Sequence, residues 1–236
     1  MDYAGAFHKA VAIPGPAGAL KSRRCMKVKV CGITNYGDAA MIVEQGIDVL
    51  GFNFYPQSPR YIRPDAAREI IRRLPPFVVA VGVFVNVADP RRLCETAEAA
   101  GVQVLQFHGD ETPEYCAQFE KWPLIKALRI DDSGIPEALE AYPVRAFLLD
   151  VKDDVLFGGT GRSFDWKLAK GVRALRPVVL AGGLRPDNVR EAITIVDPYG
   201  VDVCSGVESE PGRKDAGKLV EFMNEVKNAG YSFHRP

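Results

Sequence analysis

The sequence predicts a single-domain (β/α)8 barrel of the TIM type, on three observations. From Met26 onward, short apolar runs rich in β-branched residues alternate with stretches of helical period, separated by turn residues. Eight such pairs fit into about 210 residues, the compact end of this architecture. No Gly-x-Gly-x-x-Gly follows the first strand-like run, and the glycine-rich segments come late in the chain, against the rival doubly wound open sheet.

The elements follow in order. Residues 1–25 carry Gly, Pro and Ala without periodicity and read as a flexible N-terminal extension to a barrel domain over 26–236, with Met26 a candidate native start. Their basic residues come last, the wrong order for a secretory signal. The predicted strands are KVKVC (27–31), DVLGFNF (48–54), FVVAVGVFV (77–85), VQVLQFH (102–108), LIKALRI (124–130), AFLLD (146–150), PVVLAGG (177–183) and VDVCSG (201–206). Helical period predicts helices near 38–45, 64–73, 90–100, 113–119, 136–140, 164–175, 186–194 and 214–228. Arg63-Pro64, Asp89-Pro90, Thr112-Pro113 and Arg185-Pro186 each put proline in a first helical turn, where its missing N–H costs nothing.

Composition narrows the function. Thirty acidic and thirty basic residues leave a formal net charge of zero, so there is no field to hold nucleic acid or an anionic membrane surface. No apolar run approaches the roughly 20 residues of a membrane span. Five cysteines without a Cys-x-x-Cys pair, and only three histidines, argue against a disulfide framework or a zinc site, and for a reducing, cytoplasmic setting. A small neutral or anionic substrate fits, and the chain is expected to act as a monomer or homodimer.

In such barrels the chemistry sits where strands end, so the closing residues matter most. Strand alternation puts Lys27, Lys29 and Cys31 on the inward face, with Val28 and Val30 outward. The same parity aims Gln106, His108, Asp150, Asp202 and Cys204 inward. On residue type alone Cys31 reads first as inert packing, while His108 also reads as a hydrogen-bonded core histidine and Asp150 as a turn cap. A carboxylate closing the apolar run AFLL is nevertheless costly without a purpose. Lys29 beneath Cys31 needs a buried partner, and Asp202 on the last strand, which neighbours the first in a closed barrel, can supply it; the cation would then favour a Cys31 thiolate.

Glycine clusters follow strands six to eight: Gly158-Gly159-Thr160-Gly161, Ala181-Gly182-Gly183 and Ser205-Gly206. Each alone is compatible with an ordinary turn. Two at consecutive strand ends point to phosphate, which barrels hold on backbone N–H groups at the loops after strands seven and eight. Gly159, Gly161, Gly182, Gly183, Ser205 and Gly206 are therefore the expected phosphate contacts. Arg60, after Ser58-Pro59, offers a planar fork for a carboxylate at the other end of a substrate.

In this order VKVCGIT, GFNFYPQSPRYI, VGVFVN, LQFHGDE, GGTGRSFDW, LAGGLRPDNV and VDVCSGVESEPGRKD resemble the signature segments of the phosphoribosylanthranilate isomerase family of tryptophan biosynthesis. The resemblance runs from Met26 to the C-terminal helix. Cys204 departs from it, standing where the family commonly has serine, as do Tyr55 and Gln57 in a loop that varies. The resemblance implies an Amadori rearrangement without metal or organic cofactor. It implies Cys31 as general base, Asp150 as general acid and Arg60 on the anthranilate carboxylate, with the late glycine loops on phosphate. His108 and Asp202 are expected to line the substrate site. Related sugar-phosphate isomerases of histidine biosynthesis would carry aspartate in place of Cys31. A silent phosphate-binding barrel would lack the acid or the base, and a flavin barrel would not explain Cys31 together with Asp150.

Overall fold

The computed structural model describes residues 26–130, 138–151 and 172–230. Eight parallel strands close into a barrel in the order β1 to β8. They are β1 Lys27–Cys31, β2 Val49–Asn53, β3 Val79–Phe84, β4 Val104–Phe107, β5 Leu124–Ile130, β6 Ala146–Val151, β7 Val178–Ala181 and β8 Gly200–Val203. Parallel pairing of Lys27 with Gly200, and on to Val30 with Val203, closes the ring between first and last strands. Outward residues such as Val30, Leu50, Leu105, Phe147, Leu149 and Val201 are buried under the helical layer. Inside, Ala127, Leu148 and Ala181 pack with Ile125 and Val179, so the barrel has a filled interior and its polar groups collect near the mouth.

The helices are α1 Tyr36–Glu44, α2 Pro64–Ile71, α3 Pro90–Ala100, α4 Pro113–Cys116, α5 Val189–Val196 and α6 Ala216–Asn228. Proline opens α2, α3 and α4 as expected. Asp89 and Thr112 cap α3 and α4 by accepting from Arg91 N and Tyr115 N. Gly101, at φ 78°, ends α3 in the left-handed region where glycine is unstrained.

Three expectations need correction. The strand expected from Phe77 begins at Val79, because Val78 N bonds back to Pro75 O in a turn that leaves Phe77 exposed. Regular helix begins at Val189 rather than Pro186: Asn188, at φ −124°, turns its side chain back to accept from Arg185 N at 2.7 Å. The last helix begins at Ala216 rather than Lys214. Lys214 belongs to a small antiparallel ribbon of β9 Glu208–Glu210 and β10 Arg213–Lys214, which no predicted element anticipated.

The expected helix at 136–140 is represented by a 3-10 turn at Leu139–Ala141. Of that at 164–175, only 172–175 fall within the described residues, and they are helical. The extension 1–25 and the first glycine cluster, with Gly159 and Gly161, lie outside the described residues. Among the described residues no helix is long and apolar enough to cross a membrane.

Candidate active site

Cys31 closes β1 above a buried ion pair. Lys29 Nζ donates to Asp202 Oδ2 at 2.7 Å, both side chains almost wholly buried, on directly paired residues of β1 and β8. Asp202 is therefore a partner for Lys29 beneath the mouth, and among the described residues its Oδ1 is buried without a hydrogen bond. One ammonium thus serves two acidic groups, Asp202 and Cys31. The thiol is held well below its ordinary pKa by the neighbouring Cys204 thiol and by the cations Lys29 and Lys214, against the cost of burial. Burial costs the Lys29 ammonium as well, but Asp202 and Cys31 outweigh that and hold its pKa above the usual range. Burial pushes the Asp202 carboxyl up to about 7 against the pull of Lys29.

Across the barrel, β6 carries Asp150 inward at its end, in register with Arg129 on β5. His108, just past β4, reaches Asp150 with Nε2 to Oδ2 at 2.9 Å, and Gln106 Nε2 lies 3.3 Å from His108 Nδ1. With Gln106 Nε2 donating, the imidazole proton sits on Nε2 and goes to Asp150. Among the described residues, Gln106 Oε1 is buried without a partner. Turning the amide over sets Oε1 against Nδ1–H, and Nε2 then accepts from a protonated Asp150. The same heavy atoms hold Asp150 as an acceptor or as a donor.

The loop after β2 brings in Arg60. Ser58 Oγ accepts from Asn53 Nδ2 and from Arg60 N, both at 3.1 Å, which fixes the turn. Gly32, at φ 79°, lets this loop lie against β1, since a Cβ there would fall 2.6 Å from Arg60 Cδ. Buried Glu208 takes one edge of the guanidinium: Nε donates to Oε1 at 2.9 Å and Nη2 to Oε2 at 2.6 Å. Glu208 also accepts from Lys214 Nζ at 2.7 Å, and Lys214 donates to Cys204 O at 3.2 Å. The ribbon places these groups, with Thr34 Oγ1 donating to Gly212 O at 2.6 Å to tie it to the end of β1. Glu208 and Lys214 were missed in the sequence because a segment such as ESEPGRKD reads as solvated charge.

The expected phosphate loops meet at neighbouring strand ends. Gly182 and Gly183 follow β7 at φ 93° and 60°. Ser205 and Gly206 follow β8 in the 3-10 turn Ser205–Val207. A Cβ on Gly206 would sit 1.9 Å from Leu184 O, so only glycine lets the two loops touch. Buried Asn188 fixes the first of them, donating to Gly183 O at 3.0 Å. The structure therefore brings Cys31, Arg60, His108, Asp150, Gly182, Gly183, Ser205 and Gly206 to one mouth, with Asp202 just beneath. A thiolate on one wall and a carboxyl with two proton arrangements on the other can share one proton-transfer reaction.

Comparison with known proteins agrees with this geometry. Residues 28–225 match the family model for N-(5'-phosphoribosyl)anthranilate isomerase. An isomerase of that name from Pelobacter propionicus is 49% identical over 203 residues, covering 86% of this chain and 96% of its own. A crystal structure of a phosphoribosylanthranilate isomerase in complex with reduced 1-(o-carboxyphenylamino)-1-deoxyribulose 5-phosphate is 42% identical, with a TM-score of 0.75 over 86% of this chain and 99% of its own. A crystal structure of monomers of the dimeric phosphoribosylanthranilate isomerase from Thermotoga maritima is 37% identical, with a TM-score of 0.70 over 86% of this chain and 98% of its own. Fold, strand-end residues and these similarities agree, and the chain belongs to the N-(5'-phosphoribosyl)anthranilate isomerase family.

Proposed function

We propose that this chain converts N-(5-phosphoribosyl)anthranilate to 1-(2-carboxyphenylamino)-1-deoxyribulose 5-phosphate, the isomerase step of tryptophan biosynthesis, by acid–base chemistry of its own side chains in the cytoplasm. The observation that carries this reading is the pairing of environments at one mouth. Cys31 is surrounded by Lys29, Lys214 and the Cys204 thiol, while Asp150 faces His108.

Asp150, as the general acid, gives a proton to the furanose ring oxygen. The C1–O bond breaks and the substrate nitrogen forms a Schiff base with C1. The Cys31 thiolate then removes the C2 proton, and the resulting enolamine tautomerises to the ketone. Cysteine near 8.5 and aspartate near 3.9 are the wrong way round for these tasks at neutral pH. The lowered Cys31 pKa is thus what a general base requires.

Arg60 has one edge occupied by Glu208, and its Nη1 side meets the anthranilate carboxylate. The loops at Gly182-Gly183 and Ser205-Gly206 take the phosphate. Asp202 acts through Lys29 and not on the substrate directly. Adding freshly made phosphoribosylanthranilate to the purified protein tests the assignment: its fluorescence decays with turnover, and a trace no faster than the spontaneous one would end the reading.

A further inference from the structure

Cys204 has no task in proton transfer, yet it stands beside the one thiol that does. Lys29 and Asp202, register partners on β1 and β8, meet inside the barrel at 2.7 Å. One step further toward the mouth, past the Val30 and Val203 pair, Cys31 and Cys204 are the next residues along the same two strand paths, and Cys204 Sγ lies against Gly32, the residue after Cys31, 3.1 Å from where a Cβ there would sit. Neighbouring strands run about 4.8 Å apart, inside the Cα separation of about 4.4–6.8 Å that a disulfide spans. Both cysteines are partly exposed, and Lys214 Nζ lies 4.0 Å from Cys204 Sγ. The other described cysteines, Cys94 on α3 and Cys116 on α4, sit in the helical layer rather than at the barrel mouth.

We propose that Cys31 and Cys204 form an oxidisable dithiol, a modification site for hydrogen peroxide at which the two sulfurs join reversibly as a disulfide. The Cys31 thiolate attacks a peroxide oxygen; the S–O bond forms, the O–O bond breaks, and the departing hydroxide takes a proton to become water. The Cys204 thiol then attacks the sulfenic sulfur. The S–S bond forms, the S–O bond breaks, and the Cys204 proton leaves with the hydroxyl as a second water. Two electrons pass from the two sulfurs to one peroxide. Loss of activity on oxidation rests on Cys31 being the base; formation of the bond does not.

The test treats the full-length chain with hydrogen peroxide, blocks free thiols with N-ethylmaleimide, and maps tryptic peptides without reductant beside an activity assay. The expected result is a linked pair of the Cys31 and Cys204 peptides, about 2 Da lighter than the two thiols. It comes with an activity loss of at least about tenfold, and dithiothreitol reverses both. In Cys204→Ser, compared with its own untreated rate, the loss persists after dithiothreitol and Cys31 gains about 32 Da as sulfinate. Sulfinate at Cys31 of the unaltered chain without a linked pair, or linkage of Cys31 to another cysteine, overturns the proposal. A linked pair with activity retained upholds the modification site and overturns the role of Cys31 as base.

Discussion

Cys31 owes its room to an absence on the neighbouring strand. Its register partner on β2 is Gly51, and a Cβ there would lie 2.7 Å from Cys31 Sγ and 3.0 Å from Lys29 Nζ. Either the thiol or the ammonium must give way by most of an ångström, and a shift of that size in a reacting group costs on the order of a hundredfold. Gly51→Ala is therefore expected to lower kcat by one to two decades, on the order of that cost, while the circular dichroism spectrum stays unchanged; an unaltered kcat would mean the thiol has space to spare. The inward aim of Cys31 and Asp150 was legible in the sequence, because alternation along a strand needs no tertiary information. The Gly51 vacancy was not, since it depends on how β1 and β2 register.

Strands β1 and β8 share the Lys29–Asp202 pair. Barrel closure makes the first and last strands neighbours, which named Asp202 as a candidate partner, but the depth at which the two meet is set by the register of the strands. Lys29→Met leaves a buried carboxylate and is expected to cost about 3–5 kcal/mol in denaturant unfolding, with Lys29→Met/Asp202→Leu recovering much of it. The sign of the titration effect is definite. A lowered pKa keeps Cys31 as thiolate at lower pH, so its alkylation by iodoacetamide should stay fast well below pH ~8.5. Removing the Lys29 charge moves that midpoint upward, and an unmoved midpoint rules out Lys29 as its tuner.

The β9–β10 ribbon is the element the sequence hid. Strands of three and two residues leave no alternation to read, and Glu208 reveals its task only when the ribbon folds back under Arg60. Glu208→Gln keeps the shape and loses the charge, so Arg60 is held less firmly. The expected outcome is a KM raised about tenfold with kcat within about threefold, the pattern of weakened uniform binding. A fall in kcat at constant KM would instead place Glu208 in the chemistry.

The whole molecule divides the mouth of one barrel into two chemical halves. Strands β1 and β8, with the β2 loop and the ribbon, gather the cations Lys29, Arg60 and Lys214 around the thiols. Strands β4 to β6 bring His108 and Asp150 together. Barrel class and strand ends were legible because each β/α unit repeats one period change. The helix start at Val189 was not, because Asn188 replaces the first regular turn with a side-chain bond.

In the proposed reaction one thiol and one carboxyl, on opposite walls, carry the isomerisation between them. Steady-state turnover of phosphoribosylanthranilate by the intact chain, Cys31→Ser and Asp150→Asn measures the share of each. The expected result is turnover by the first and a kcat lower by at least about a hundredfold in each of the others, with KM little changed. Variants that turn over within a few-fold of the intact chain would overturn the assignment of base and acid.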